Sequence, residues 1–195
     1  MNYLAHAYLS FNVPGILVGN MISDFVKGKK KYDYKDDILF GIDLHRAIDD
    51  YTDTHPETKK AKTVYQESYG LYSGAFMDVT YDYFIANDKN LFKPSLETFS
   101  NNVYTSLEAY SEQFPPRFAS MFPYMKKYNW LLNYKNHSGI ERSFEGLVHR
   151  AQYMDDSSTA YNTFLENTAF FEEAYHKFFP GLVDFTREAI ATRKL

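Results

Sequence analysis

The fold class this sequence predicts is all-α: a single-domain helical bundle running over residues 1–195. Three observations predict it. Apolar residues recur at helical spacing in segment after segment, no stretch alternates in the manner of a strand, and proline and glycine punctuate the chain at intervals of helix length. There is no internal repeat, no low-complexity tract and no linker long enough to divide the chain into domains.

The elements follow in order. MNYLAHAYLS suits a short first helix with His6 in its middle. Pro14 can occupy the first turn of a second helix and Gly28 can close it; Asn20 and Asp24 lie one turn apart on it, beside Leu17 and Met21. The basic connector KGKKKYDYKDD leads to Asp36 or Asp37 as cap of a third helix. Pro56 opens a fourth, polar helix that Gly70 stops, and a fifth covers about Tyr72–Ala86. An amphipathic stretch around Pro94–Phe114 places Leu96, Phe99, Val103, Leu107 and Tyr110 at helical spacing, and Pro115 and Pro116 end it. Arg117–Tyr134 reads as one or two short helices, and Ser138 to about Tyr153 as another. Ser157–Phe179 and Leu182–Thr192 are the last two, divided by Pro180 and Gly181.

Composition narrows the chemistry. With no cysteine, thiolate metal sites, disulfides and thiol catalysis are excluded, so a metal would need nitrogen and oxygen donors. Eighteen tyrosines and seventeen phenylalanines imply a ring-rich core whose phenols need hydrogen-bond partners. A net charge of −4 argues against a general nucleic-acid binder. No apolar run reaches the length of a membrane span and the first residues lack the pattern of a signal peptide, so the expectation is a soluble, cytoplasmic protein.

The third helix, within GIDLHRAIDDYTDTHP, carries the chemistry. Ile38, Ile42, His45, Asp49 and Asp53 fall on one face, apolar first and acidic after. Carboxylates turned toward a core need a positive partner, either a divalent metal or an Arg or Lys from another helix. The fifth helix repeats the pattern with Asp78 and Asp82. Singly, each residue has a plainer reading: Asp49 or Asp53 as an ion-pair partner, His6 as a hydrogen-bonded core histidine, His55 as the organiser of the loop before Pro56. Convergence from several helices, as bundles allow, is what favours a metal site. The run Lys27–Lys31 is a solvated loop or a docking patch for an acidic partner. Gly-x-Ser-x-Gly, phosphate-binding glycine loops and His-Glu-x-x-His are absent. Arg142 and Arg150 can contact a phosphate but read more simply as surface or ion-pairing groups. The rings of the C-terminal half either cover part of a substrate or pack as core, and their helical spacing favours core.

Four blocks, MNYLAHAYLS, GNMISDFVKG, GIDLHRAIDDYTDTHP and DVTYDYFIA, with a weaker echo in WLLNY…GIERSFEGLVHR, together resemble the acyl carrier protein phosphodiesterases. The resemblance implies a fold related to the HD phosphohydrolases, although no His-Asp dipeptide occurs here. It implies a divalent metal, commonly Mn²⁺ with Mg²⁺ or Fe²⁺ as alternatives, and hydrolysis of 4′-phosphopantetheine from holo acyl carrier protein. On that reading the ligands come from His6, Asp24, His45, Asp49, Asp78 and Asp82. Asp24 or Asp53 handles the attacking water, His55 is the acid, Arg46 stabilises the phosphoryl oxygens, and Lys27, Lys29, Lys30 and Lys31 meet the acidic carrier protein. Tyr8 and Tyr83 stand where the family is expected to carry histidine, which opens two alternatives: a carrier-protein-binding module without catalysis, or the same fold acting on another small phosphodiester or nucleotide.

Overall fold

In a computed structural model, which describes residues 1–151, 154 and 156–195, the described residues form eleven α-helices and no strand. They are α1 (Tyr3–Tyr8), α2 (Pro14–Ile22), α3 (Asp36–Thr54), α4 (Pro56–Tyr69), α5 (Ser73–Asn87) and α6 (Leu96–Glu108). The second half contains α7 (Pro116–Lys127), α8 (Trp130–Asn133), α9 (His137–Arg150), α10 (Ser158–Glu166) and α11 (Thr168–Thr192). None of these helices is long and apolar enough to cross a membrane.

Most helix ends follow local chemistry. Pro14, Pro56 and Pro116 each open a helix, where a missing backbone N–H costs nothing. Gly70 terminates α4 with φ +50°, a conformation that favours glycine. Arg117–Tyr134 resolves into α7 and α8. Four boundaries differ from the sequence reading. The second helix stops at Ile22 rather than Gly28, because Ser23–Phe25 tightens into a 3₁₀ turn and Gly28–Asp33 forms another. Asp36 and Asp37 lie in the first turn of α3 rather than capping it, and Asp37 pairs with Arg193 at 2.8 Å. The break expected at Pro180 is absent. Pro180 sits inside α11 on its exposed side, where water can solvate the carbonyl it leaves free. The break falls instead at Asn167, whose backbone leaves helical geometry. The expected end of the ninth helix at Tyr153 lies outside the described residues, and α9 closes at Arg150.

The core is one continuous cluster dominated by rings. Tyr65 stacks on Phe171 and Phe76 and meets Phe144 edge-on. Its buried hydroxyl bonds Thr80 at 2.9 Å, and that of Tyr81 bonds Thr58 at 3.1 Å. These two phenols are thus satisfied within the core by threonine hydroxyls.

What positions the functional groups is the crossing of α2 and α3. A Cβ on Gly19 would stand 2.1 Å from the Ile38 carbonyl oxygen, and one on Gly41 would stand 2.3 Å from that of Ile16. Only glycine permits this backbone-to-backbone approach. It lets Ser23 Oγ donate to the Ile42 carbonyl at 3.1 Å and carries Asn20 against His45. The second anchor is Asp82, fully buried on α5. Its Oδ2 accepts from the Leu4 amide at 2.8 Å and its Oδ1 from the Ala5 amide at 3.0 Å, which pins the start of α1 to α5. Free helix-terminal N–H groups are natural carboxylate partners.

Gly41→Ala therefore overpacks a backbone contact with nowhere to move. It should lower stability by about 2–3 kcal/mol in urea unfolding, whereas a wild-type midpoint would show that the helices part without penalty.

Candidate metal centre

The elements α1, α2, α3 and α5 bring their polar residues together around Asp49. Its Oδ1 accepts from the Met1 ammonium at 3.0 Å and lies 3.3 Å from His6 Nε2; its Oδ2 lies 3.2 Å from His45 Nε2. The Met1 ammonium also contacts Asp78 at 3.1 Å. Asp24, from the 3₁₀ turn after α2, closes the other side at 3.2 Å from His45 Nε2. The two imidazoles stack with centroids 3.8 Å apart.

Hydrogen bonding dictates the tautomers. His45 Nδ1 is 2.8 Å from the Asn20 carbonyl oxygen, so it donates there. Nε2 then faces two carboxylate oxygens, an arrangement that needs a proton or a metal ion at that nitrogen. In the metal-free protein it is a proton. Burial alone would lower the His45 pKa, but Asp24 and Asp49 outweigh it and push it up to about 9. His6 behaves oppositely. Burial and the neighbouring imidazolium push it down to about 4, so it is neutral, with Nε2 donating to the Met1 carbonyl (3.1 Å) and Asp49. Its Nδ1 is buried with no partner. Burial would raise Asp49, yet the Met1 ammonium and both histidines hold it far below the usual carboxylate range. The ammonium is held up at about 11 by Asp78 and Asp49 against its own burial. Burial raises Asp78 above its ordinary value, and the hydrogen bond from His45 lowers Asp24.

On the acidic face Asp53 takes a lysine from another helix, Lys62 of α4, but the positive partner of Asp49 is neither Arg nor Lys. It is the chain's own α-ammonium together with the His45 imidazolium. Sequence reasoning missed Met1 because an α-amino group carries no residue signature. It noted Asn20 without its role, which lies in a backbone carbonyl.

The donor set fits a metal. His6, His45 and Asp49 each offer one ligand atom within 4.8 Å of the others, and these nitrogen and oxygen donors suit a hard-to-borderline divalent cation. The Asn20 carbonyl holds His45 in the tautomer that presents Nε2, as acceptors behind metal-bound histidines do. His6, by contrast, presents an N–H at Nε2 in the metal-free arrangement and would have to shed or shift that proton. Three carboxylates, Asp24, Asp49 and Asp78, face two cations, leaving room for added positive charge.

Several other sequence candidates are engaged elsewhere. Asp82 is buried on the α1 amides, and both its oxygens are used there. Asp53 is exposed and paired with Lys62 of α4 at 3.1 Å. The His55 ring caps α4, its Nδ1 accepting from the Glu57 amide at 3.3 Å, and packs on Tyr51 and Phe178; this is the loop-organising reading. Arg46 points away from the His45 side, to the Val26 carbonyl at 3.3 Å and Asp43. Lys27, Lys29 and Lys30 are exposed on the turn that follows Asp24, while Lys31 is paired with Asp43 at 2.7 Å. Tyr8 packs against Phe11, Phe92, Phe99 and Phe179, and the Tyr83 hydroxyl lies 3.3 Å from His137 Nε2. Neither tyrosine is among the groups around Asp49.

Comparison with known proteins bears on this site. A family model described as "Acyl carrier protein phosphodiesterase" matches residues 1–182. The chain is 27% identical over 186 residues to the "Acyl carrier protein phosphodiesterase" of Photorhabdus laumondii subsp. laumondii, covering 94% of each. It is 28% identical over 189 residues to the protein of that name from Pectobacterium atrosepticum, covering 96% of this chain and 98% of the relative. With that of Yersinia pestis it shares 28% over 185 residues, 94% of this chain and 96% of the relative. No solved structure matches.

A cation at His45 Nε2 must displace the proton there. The folded pKa of about 9 exceeds the model-peptide value of 6.5, so the proton's stabilising effect is complete below pH 6.5 and lost as pH rises through 9. Cation affinity runs the other way. Between those values it should rise up to tenfold per pH unit, with about one proton released per ion. Mn²⁺ titration calorimetry in buffers of differing ionisation enthalpy measures both, and a pH-independent affinity would place the ion elsewhere.

Proposed function

The chain belongs to the acyl carrier protein phosphodiesterase family, and on that premise we propose that residues 1–195 act as one metal-dependent phosphodiesterase domain. It removes 4′-phosphopantetheine from the serine of holo acyl carrier protein, leaving apo carrier protein and free 4′-phosphopantetheine. The observation that carries this reading is the convergence of His6, His45 and Asp49, with Asp24 beside them at the solvent edge. Mn²⁺ is the cation we favour, with Mg²⁺ or Fe²⁺ as alternatives. The kinship to HD phosphohydrolases belongs to the same proposal.

His45 through Nε2, Asp49, and His6 hold the cation. When bound, it supplies Lewis acidity toward water and a phosphoryl oxygen. Asp24 is the group for proton transfer. Its side chain is 69% exposed, and its depressed pKa keeps it ionised and able to accept a proton. A water oxygen attacks phosphorus in line with the serine oxygen. The new P–O bond forms as the P–O(serine) bond breaks, and the proton taken by Asp24 passes to the departing serine oxygen. Asp78 holds the Met1 ammonium against Asp49 and so fixes the orientation of that carboxylate.

Lys27, Lys29 and Lys30 stand three to six residues after Asp24, so a carrier protein docked on them reaches the site. An acidic partner would be steered there by charge. The binding-module alternative rested on Tyr8 and Tyr83, and its motive weakens with both rings away from Asp49.

Intact-mass analysis of holo acyl carrier protein incubated with this protein and Mn²⁺, against an EDTA control, tests the reaction. Loss of the phosphopantetheine mass is expected only when metal is free. His45→Ala should reduce turnover by more than about a hundredfold and abolish metal binding, while Asp24→Asn should reduce kcat with metal binding retained. Activity at the wild-type level in either variant would refute the assignment. Reversing Lys27, Lys29 and Lys30 to Glu should raise KM for the carrier protein, leave kcat in place and weaken the salt dependence.

A further inference from the structure

A cavity of about 410 Å³ opens between the start of α1 and the helices α8 and α9. That is within the range of sites that bury a small organic ligand. Its walls carry the rings of Tyr3, Tyr128, Trp130 and Tyr134 and the guanidinium groups of Arg142 and Arg150. Among the described residues neither arginine meets a carboxylate, although Arg142 Nε is steadied by the Ser138 carbonyl at 3.0 Å. Both are exposed, in agreement with the surface reading of these two positions.

The cavity adjoins the metal centre. Asn2 and Tyr3 wall it and directly follow Met1, whose ammonium sits on Asp49 and Asp78. Burial and the Asp24 carboxylate push the Tyr3 phenol up, and Arg150 opposes them. The opposite wall is one face of α9. Arg142, Gly146 and Arg150 recur every four residues along it, and Gly146 leaves a gap beside the Arg150 guanidinium.

We propose that this cavity binds the phosphopantetheine arm of the substrate while the phosphodiester is at the metal centre, an assignment that rests on the function proposed above. The arm's chemistry matches the lining. Its methylenes and gem-dimethyl group pack on rings, and its two amides find the side-chain amides of Asn2 and Asn133 and the hydroxyl of Ser143. Its one phosphate is at the metal centre, and the guanidinium groups donate to the arm's amide carbonyls. The carrier protein thus supplies the docking charge, and the arm supplies the selectivity.

Gly146 provides a test that spares the fold. A Cβ there would meet only Arg150 Nη1, at 3.6 Å, and Gly146 lies in a helix where a side chain is favoured over none. Gly146→Leu fills the gap, with Gly146→Ala as its control. Free 4′-phosphopantetheine is titrated into each protein by calorimetry, and kcat/KM is measured on holo acyl carrier protein and on the generic diester bis(p-nitrophenyl) phosphate. Gly146→Leu should weaken phosphopantetheine binding and kcat/KM on the carrier protein by at least about tenfold. Helicity should stay at the wild-type level, and the loss should be smaller on the generic diester, which carries no arm. Arg142→Glu with Arg150→Glu should weaken phosphopantetheine binding in the same way. Unchanged phosphopantetheine binding in both variants overturns the cavity assignment. A wild-type protein inactive on holo carrier protein overturns the proposed function instead, and the titrations with free phosphopantetheine still decide the cavity.

Discussion

The contact on which the rest of this structure depends is the crossing of α2 and α3 at Gly19 and Gly41. Two helices ordinarily pack with side chains between them, at 8–10 Å. Here each glycine faces the carbonyl of the other helix so closely that a methyl group would not fit. That proximity puts the Asn20 carbonyl within reach of the His45 ring and so sets which of its nitrogens faces Asp49 and Asp24. A backbone contact thereby determines the tautomer of a side chain, and the tautomer determines what the site can hold.

The electrostatics of the site form one coupled unit. Asp49 is the common partner: the Met1 ammonium, His6 and His45 all converge on it from different elements. Each group's charge state is set by its neighbours. Two stacked imidazoles cannot both be protonated at little cost, so His45 with two carboxylates takes the proton and buried His6 stays neutral. The three carboxylates outnumber the two cations, so the cluster has room for added positive charge. Asp82 is excluded from the balance because its oxygens serve the amides of α1, and through them it holds His6 in place.

The division of labour between the halves of the chain follows from this arrangement. The segment from α1 to α5 carries the groups clustered around Asp49, with a lysine-bearing turn at its edge. The later helices complete the ring-rich core and, with α8 and α9, shape the cavity beside Tyr3. A substrate with a charged protein body and a long polar arm would engage both halves at once.

Sequence alone determined the all-helical class, because the spacing of apolar residues and the positions of Pro14, Pro56, Gly70 and Pro116 are local signals with local consequences. It also singled out His6, Asp24, His45, Asp49 and Asp78, since histidine and carboxylates on apolar helix faces demand partners whatever the fold. Tertiary structure decided the partners. Asp53 continues the same helical face as Asp49, yet only Asp49 lies under the N-terminus, because helical periodicity does not say where a neighbouring element ends. Asp82 has the same local pattern as Asp78, but its depth in the core brings it to backbone amides instead of the ammonium. Pro180 was a local signal that tertiary context overrode: on an exposed helix face its freed carbonyl has water to turn to. The α-ammonium of Met1 and the carbonyl of Asn20 carry no side-chain signature, so their part in the site could be decided only by which chain segments the fold brings together.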